Sequence, residues 1–305
     1  MADLILHHFE RSPFSEKIRL MMGYKGLAWK SVLQPIIMPK PELTALTGGY
    51  RRIPVLQIGA DVYCHTSLIA EQLELRAPTP SLAPSGDSIW SRLIISWADE
   101  YLFWKVAHYA RGANIESLPD DFLKDRAAMF RQPPPDKAHV KAEMPHYQSQ
   151  LEITLPWIND ALATTAYIGG SAPSLADFSL YHCIWFLRNT PDGGKWVETF
   201  THISAWMKKI GALGYGQRTE LDREGALAVA RGADPVPVAA ADTPDATGIK
   251  LGDTASVMPE TFGTESVVGT VVALNKQRIT LARSSDDLGI IHVHFPRLGY
   301  VLKRG

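Results

Sequence analysis

Two hydroxyl side chains stand at the starts of predicted helices in this sequence, where they are placed to hold an anion. Ser12 lies in FERSPFSEKIRL, in the loop just before the first predicted helix, and Thr66 is predicted to cap the helix TSLIAEQLE. The first backbone N–H groups of a helix lack partners within it, and the positive end of the helix dipole lies there. Ser15, one turn further in, is a rival for the role of Ser12. The first helical turn is expected to point Ser15 back toward the protein.

A proline motif lies between these two positions. In RRIPVL, Pro54 stands between the apolar Ile53 and the start of a predicted strand, which makes the bond before it a candidate for the cis form. A cis bond there is expected to turn the backbone of Val55 outward beside the Ser12 loop.

The hydrophobic pattern divides the chain into regions that must position these residues. Short apolar runs alternate with amphipathic segments over residues 1–80, which predicts an α/β domain with a mixed sheet. Long amphipathic segments predict an all-helical domain over residues 85–232. Ala, Pro and Asp dominate 233–247, a predicted linker. β-branched runs predict a small all-β domain, a barrel or curled sheet, over 248–305.

Two pairs of residues three positions apart predict helix starts in the middle region. Ser174 with Asp177 and Thr219 with Asp222 each match a capping-box variant, in which a hydroxyl residue caps the helix and a carboxylate folds back onto it. We therefore expect one helix to begin at SLADFSLY and another at TELDREGALAVARG.

The composition limits the classes of function. The formal net charge is -1 and no long run of Lys or Arg occurs, so we expect no nucleic-acid partner. The two cysteines, Cys64 and Cys183, are too few for a disulfide framework and are typical of a reducing compartment. No apolar run is long enough to cross a bilayer. These features predict a cytoplasmic protein without a membrane partner.

The order of three motifs, SPFSEKIR, PELTALTGGYRRIPVL and SLADFSLY, resembles the glutathione transferase superfamily over roughly residues 3–215. The resemblance implies a thioredoxin-like domain that binds glutathione, an all-helical domain that supplies the pocket for the second substrate, and a homodimer. It implies a transferase of the detoxification type. The enzyme would activate the thiol of its co-substrate glutathione for attack on a small electrophile, and no metal is expected.

The resemblance also assigns roles to residues. Ser12 would activate the thiol, Val55 would pair its backbone with the cysteinyl unit, and Thr66 would hold the γ-glutamyl carboxylate. Lys40 and Arg52 would meet the glycyl carboxylate, unless they are solvated loop charges. The glutathione-binding set is thus Ser12, Lys40, Arg52, Ile53, Pro54, Val55, His65 and Thr66. The second-substrate pocket would be lined by Phe14, Trp97, Tyr101 and Trp104.

The sequence departs from the family at one position, because His65 replaces the acidic residue that usually precedes the hydroxyl residue. A neutral imidazole accepts a hydrogen bond from the γ-glutamyl ammonium, whereas a protonated one repels it. Two other functions therefore stay open: a non-catalytic binding or scaffold protein, and a binder of apolar small molecules. For the latter, the face that carries Trp97, Tyr101 and Trp104 is either a pocket wall or a core or subunit-contact stripe.

The resemblance to glutathione transferases does not extend to the predicted all-β region, residues 248–305. His292 and His294 lie two residues apart, so in a strand both face one side, as two metal ligands would. The region itself offers no third ligand, and the histidines are more simply read as strand residues without a metal. We expect the region to pack on the rest of the chain and to limit access to the active cleft.

Overall fold

Strands and helices account for most of residues 2–238 and 245–305, which the computed structural model describes; part of the predicted linker lies outside them. The strands are Ile5–His8 (β1), Ala28–Leu33 (β2), Val55–Ile58 (β3), Asp61–Cys64 (β4), Gln217–Glu220 (β5), Thr254–Pro259 (β6), Val267–Leu274 (β7), Arg278–Ser285 (β8), Gly289–Pro296 (β9) and Tyr300–Arg304 (β10). The helices are Pro13–Tyr24 (α1), Pro41–Thr47 (α2), Thr66–Arg76 (α3), Ile89–Ser96 (α4), Phe103–Asn114 (α5), Asp120–Met129 (α6), Lys137–Thr164 (α7), Leu175–Arg188 (α8), Gly193–Glu198 (α9), Thr201–Gly211 (α10) and Arg223–Arg231 (α11).

The first four strands form the mixed sheet that the sequence predicts. β1 is central: it pairs in parallel with β2 and antiparallel with β3, and β3 pairs antiparallel with β4. Leu4 and Leu6 contribute to the core beneath α1 and α3, and Ile18 and Ile69 meet them from those helices. Burial of such side chains stabilises a domain by about 1.5–3 kcal/mol each. This is the thioredoxin-like arrangement.

The C-terminal strands continue this sheet. The order across the ten strands is β10-β6-β7-β8-β9-β4-β3-β1-β2-β5. β9 pairs in parallel with β4, and β5 pairs in parallel with β2 at the other edge. The all-β character predicted for the end of the chain is confirmed, and its strands share backbone hydrogen bonds with the N-terminal strands.

A hydrophobic core joins the two sets of strands. Val62 of β4 and Tyr50 pack in one cluster with Val293, Phe295 and Tyr300 of the C-terminal strands. The hydroxyl groups of Tyr50 and Tyr300 are hydrogen-bonded at 3.0 Å. The C-terminal region therefore packs on the rest of the chain, as the sequence predicted.

α4 and α5 in the middle domain form one continuous helix, interrupted by a change of helix type. The six residues Trp97–Leu102 between them form a π-helical turn. A π-helical turn contains one more residue than an α-helical turn. The side chains that follow it are therefore rotated about the helix axis by about 100° from the positions that α-helical spacing predicts. None of the described helices is long and apolar enough to traverse a bilayer.

The predicted helix starts have three outcomes. Ser174 and Asp177 begin α8 in a capping box: the Asp177 carboxylate accepts from the Ser174 N–H at 2.9 Å. The predicted cap at Thr219 was wrong, because Thr219 lies in β5, where it pairs with Lys30 of β2. Asp222 caps α11 instead. The predicted cap at Thr66 was also wrong. His65 occupies the N-cap position of α3, so Thr66 is the first helical residue.

Candidate functional site

The strand register brings the predicted site segments to one edge of the sheet. His7 near the end of β1 lies opposite Val55 at the start of β3, and Val55 lies opposite Cys64 at the end of β4. The loop that follows β1, the proline that precedes β3 and the helix start that follows β4 are therefore neighbours. These segments carry Ser12, Pro54 and Thr66. Their proximity depends on the pairing of β1 with β3, whose paired residues lie about fifty positions apart in the sequence.

Ser12 is the N-cap of α1 and is almost fully buried. Its Oγ accepts a hydrogen bond from the N–H of Ser15 at 3.2 Å. The hydroxyl proton is not used in this bond and is free to be donated to an anion. The Ser15 hydroxyl is buried and has no hydrogen-bond partner in the described chain.

The Ile53–Pro54 bond is cis, as the sequence suggested. Pro54 is buried, and Val55 behind it is fully buried at the start of β3. Ile53 is half-buried and packs on the cluster shared with the C-terminal strands.

His65 has a left-handed backbone, with φ of 85°. Its Nδ1 accepts from the Ser67 N–H at 3.3 Å, so Nδ1 is the unprotonated nitrogen and Nε2 carries the proton. Burial lowers the pKa of His65 to about 4, with Asp99 opposing the shift and Lys17 adding to it. The imidazole is neutral at pH 7 and offers an N–H donor. This site therefore presents a donor where the usual acid would be an acceptor.

Thr66 is buried at the first turn of α3, and its hydroxyl forms no hydrogen bond with other described residues. The hydroxyl and the first backbone N–H groups of α3 are the donors that this helix start presents. Together with the His65 Nε2–H they suit a carboxylate.

Lys40 precedes α2 and is 3% exposed. Within the described residues its ammonium forms no ion pair at 4.0 Å or less, and its one polar neighbour is the Met38 sulfur at 3.9 Å. Burial, aided by the charge of Arg126, lowers the pKa of Lys40 to about 8. Asp125 and Glu265 only partly offset this shift, and a buried ammonium without a direct ion pair is costly, so the position favours an incoming anion.

Arg52 is engaged by the C-terminal region rather than free. Its Nε donates to the carbonyl of Phe262 at 2.9 Å, and its guanidinium lies 3.7 Å from the centre of the Phe262 ring. The hydroxyl of Thr261 accepts a further hydrogen bond at 3.2 Å. Arg52 thus holds the loop between β6 and β7 against the N-terminal domain.

Comparison with known proteins identifies the family. Residues 6–81 match the family model described as the glutathione S-transferase N-terminal domain, and residues 141–209 match that of the C-terminal domain. The crystal structure of a GST-like protein from Pseudomonas syringae is 34% identical, with 99% of each chain covered and a TM-score of 0.82. The chain belongs to the glutathione transferase superfamily. None of the curated proteins matches it.

Two more distant solved structures are also similar. FzlA from C. crescentus is 22% identical, with 78% of this chain and 96% of that chain covered and a TM-score of 0.53. A glutathione-bound theta class glutathione S-transferase from Xanthomonas axonopodis pv. citri is 19% identical, with 68% and 92% covered and a TM-score of 0.50. At these identities the likeness shows the fold alone.

In this glutathione transferase fold the predicted second-substrate residues separate into two groups. Phe14 contacts Phe103 at 4.5 Å between ring centres, and Phe103 contacts Trp104 at 4.9 Å. Trp97 instead lies beside Tyr101 and Trp157, each at 6.3 Å, on a partly exposed face. The π-helical turn separates the groups, because it rotates Trp104 away from the stripe that sequence spacing predicted.

A buried charged cluster beside the site escaped the sequence reasoning. The Lys17 ammonium lies 2.6 Å from Asp99, and the His182 Nε2 lies 3.0 Å from the other oxygen of that carboxylate. Burial opposes ionisation of Asp99, but Lys17 and His182 hold its pKa well below the usual range. Phe14 packs on the His182 ring at 4.6 Å. The available signal was an ionisable residue on the buried side of each of three amphipathic helical segments.

Proposed function

We propose that this protein is a glutathione transferase whose Ser12 activates the glutathione thiol for attack on a small electrophile. The observation that carries the proposal is the common sheet edge of the Ser12 loop, cis-Pro54 and the start of α3. The free hydroxyl proton of Ser12 would be donated to the thiolate sulfur. A cytoplasmic location, predicted from the two cysteines, fits a reaction that consumes a free thiol.

The two carboxylates of glutathione have separate donors in this proposal. Thr66, the first N–H groups of α3 and the neutral His65 would bind the γ-glutamyl carboxylate. Lys40 would bind the glycyl carboxylate, because its buried ammonium forms no ion pair within 4.0 Å among the described residues. Arg52 would act indirectly, by holding Phe262 in place. Val55 would pair its backbone with the cysteinyl unit.

The second substrate would bind against aromatic rings from three parts of the chain. Trp104 contacts Phe103, which packs on Phe14, and also contacts Phe262 of the β6–β7 loop at 4.9 Å. The planes of neighbouring rings are inclined by 55–87°, so the rings meet edge-to-face and form a continuous apolar surface. An apolar electrophile is the class of substrate that this surface fits, and the β6–β7 loop would limit access to it.

The test is a glutathione titration by calorimetry at pH 7 with the wild type and with Lys40→Met. Removal of one charge-assisted hydrogen bond, worth about 1.5–3 kcal/mol, is expected to weaken binding by about 10- to 100-fold. Lys141→Met is the control, since that exposed lysine forms an ion pair with Glu116 at 3.0 Å, outside the proposed site. Equal affinities for the two variants would refute the role of Lys40, and no binding to the wild type would refute the transferase.

A non-catalytic binding or scaffold protein is the second candidate. His65 favours it, because the donor that it presents replaces the acid expected to meet the γ-glutamyl ammonium. A scaffold would show neither glutathione binding nor conjugation of an aryl halide. The same titration, followed by a conjugation assay, separates the two candidates.

We further propose that two copies of the chain associate through the exposed apolar face of α4 and α7. Trp90 and Trp157 are 72% and 58% exposed, and Leu93 and Ile153 are also exposed. Trp97 joins the two helices by its contact with Trp157. An apolar patch of this kind on a monomer is unusual and marks an interaction surface.

The change Trp90→Glu is expected to convert the dimer to a monomer, because a charge in an apolar interface is desolvated without a partner. Light scattering after size exclusion measures the mass. Leu298→Glu is the matched control, since Leu298 is 91% exposed and lies in the C-terminal region, outside α4 and α7. A monomeric wild type, or a dimeric Trp90→Glu variant, would contradict this interface.

A further inference from the structure

Three metal-ligating side chains meet where β4 and β9 run side by side. The parallel register places Asp61 opposite His292 and Tyr63 opposite His294. His292 and His294 are two residues apart, so they project to one face of the strand. The sequence offered no third ligand near the histidines, and the pairing of β4 with β9 brings Asp61 from more than 200 residues away.

The ligand atoms lie close enough for one ion. The Nε2 atom of His294 is 2.7 Å from Oδ1 of Asp61, and the Nδ1 atom of His292 is 3.8 Å from the same oxygen. All three atoms lie within 4.8 Å of one another. Two ligands of a tetrahedral zinc ion stand roughly 3.3 Å apart, given bonds of about 2.0–2.1 Å. Small side-chain rotations would reach this geometry.

The neighbouring groups hold these ligands in the orientation that a metal needs. Oδ2 of Asp61 accepts from the Val236 N–H at 2.8 Å, which leaves Oδ1 to the histidines. Nδ1 of His294 is hydrogen-bonded to the Thr280 hydroxyl at 3.0 Å, and its ring stacks on Tyr63 at 4.4 Å. Ligating histidines in proteins are oriented by such a bond at their other nitrogen.

One atom of the cluster lacks a partner. Nδ1 of His292 is buried and forms no hydrogen bond with any described residue, although the side chain is 12% exposed. A buried polar atom without a partner is costly, and most such atoms in proteins have one. A metal ion bound between His292 and Asp61 would satisfy it.

We propose that Asp61, His292 and His294 bind one divalent transition metal ion. Two imidazoles and one carboxylate suit zinc and its neighbours rather than magnesium or calcium, which prefer oxygen ligands. The exposed edge of His292 leaves room for water as a fourth ligand. Asp61 and His65 lie at opposite ends of β4, about 13 Å apart along an extended strand, so the metal is separate from the proposed glutathione site. A bound ion would link β4 to β9.

Zinc is the probe for the test, with the full chain freed of any affinity tag and dialysed against a chelator. Competition with a chromogenic chelator gives the affinity and the number of ions per chain, and cobalt substitution gives the visible spectrum of a tetrahedral site. The wild type is expected to bind one ion and to melt at a higher temperature with zinc. Because Nδ1 of His292 forms no hydrogen bond with the described residues, His292→Ala is expected to keep its fold and to bind zinc at least about 10-fold more weakly.

The exposed His146 of α7 serves as the control, and His146→Ala is expected to bind as the wild type does. A second variant, Asp61→Asn, should also lose the site if its carboxylate is a ligand. Equal zinc affinity for the wild type and His292→Ala, or no stoichiometric binding by the wild type, would overturn the proposal. Because these readouts do not involve glutathione, they are independent of the transferase assay.

Discussion

The replacement Ser12→Ala is expected to lower kcat/KM for glutathione conjugation by about 10- to 100-fold. A thiol with a pKa near 8.5 must be stabilised as thiolate by about 2.7 kcal/mol to ionise two pH units lower. A helix dipole supplies only about 0.3–1 kcal/mol at an exposed site, whereas a hydrogen bond to a charged group supplies about 1.5–3 kcal/mol. The dipole of α1 is therefore insufficient, and the Ser12 hydroxyl would provide the rest.

The pH profile distinguishes this role from a structural one. Ser12 also caps α1, and loss of a cap costs about 1 kcal/mol of stability, so the rates must be compared where both proteins are fully folded. The pKa of bound glutathione, read from the pH dependence of kcat, is expected to rise in Ser12→Ala. Ser15→Ala is the matched control. If Ser15→Ala alone moved the profile, the hydroxyl of Ser15 would be the activating group.

The replacement Phe295→Ala is expected to destabilise the whole sheet by about 3–5 kcal/mol. Phe295 is fully buried in β9 and contacts Tyr50, from the N-terminal domain, at 5.9 Å between ring centres. The cavity left by the ring would lie in the core that joins the two sets of strands. Denaturant unfolding, followed by both fluorescence and circular dichroism, measures the loss.

Cooperativity is the more informative readout of this variant. Because β9 is hydrogen-bonded to β4, the N-terminal sheet and the C-terminal strands are expected to unfold in one transition. Leu298→Ala, at a side chain that is 91% exposed, should leave stability within about 0.5 kcal/mol of the wild type. An N-terminal domain that stays folded while the C-terminal strands melt in Phe295→Ala would show that the two parts are independent.

The partners of Lys40 and Arg52, two charged residues beside the site, could not be predicted from the sequence. Lys40 was predicted either to bind a carboxylate or to be solvated, and its burial without an ion pair among the described residues favours the first. Arg52 was predicted in the same way, yet it holds Phe262 from more than 200 residues away. Loop charges of the same type therefore differ in role because long-range packing, which sequence spacing does not encode, decides their partners.

Most local features of this protein follow from its sequence, although the caps predicted at Thr66 and Thr219 were wrong. Periodicity predicted the α/β and helical regions, capping chemistry placed the start of α8 at Ser174, and residue motifs identified Ser12 and Pro54. These features follow from interactions between residues a few positions apart, which a sequence shows directly. The extra residue in the π-helical turn lay beyond such reasoning, because α-helical spacing assumes a constant rotation per residue.

The pairing of the C-terminal strands could not be predicted from the sequence. Both edges of a sheet expose unpaired backbone groups, and strand patterns do not specify which edge a further strand will join. Here β9 joins the edge of β4, which merges two predicted domains into one sheet and one core. The same pairing brings Asp61 to His292 and His294, and the β6–β7 loop brings Phe262 to Arg52. Pairing between distant strands thus creates sites that neither segment contains alone.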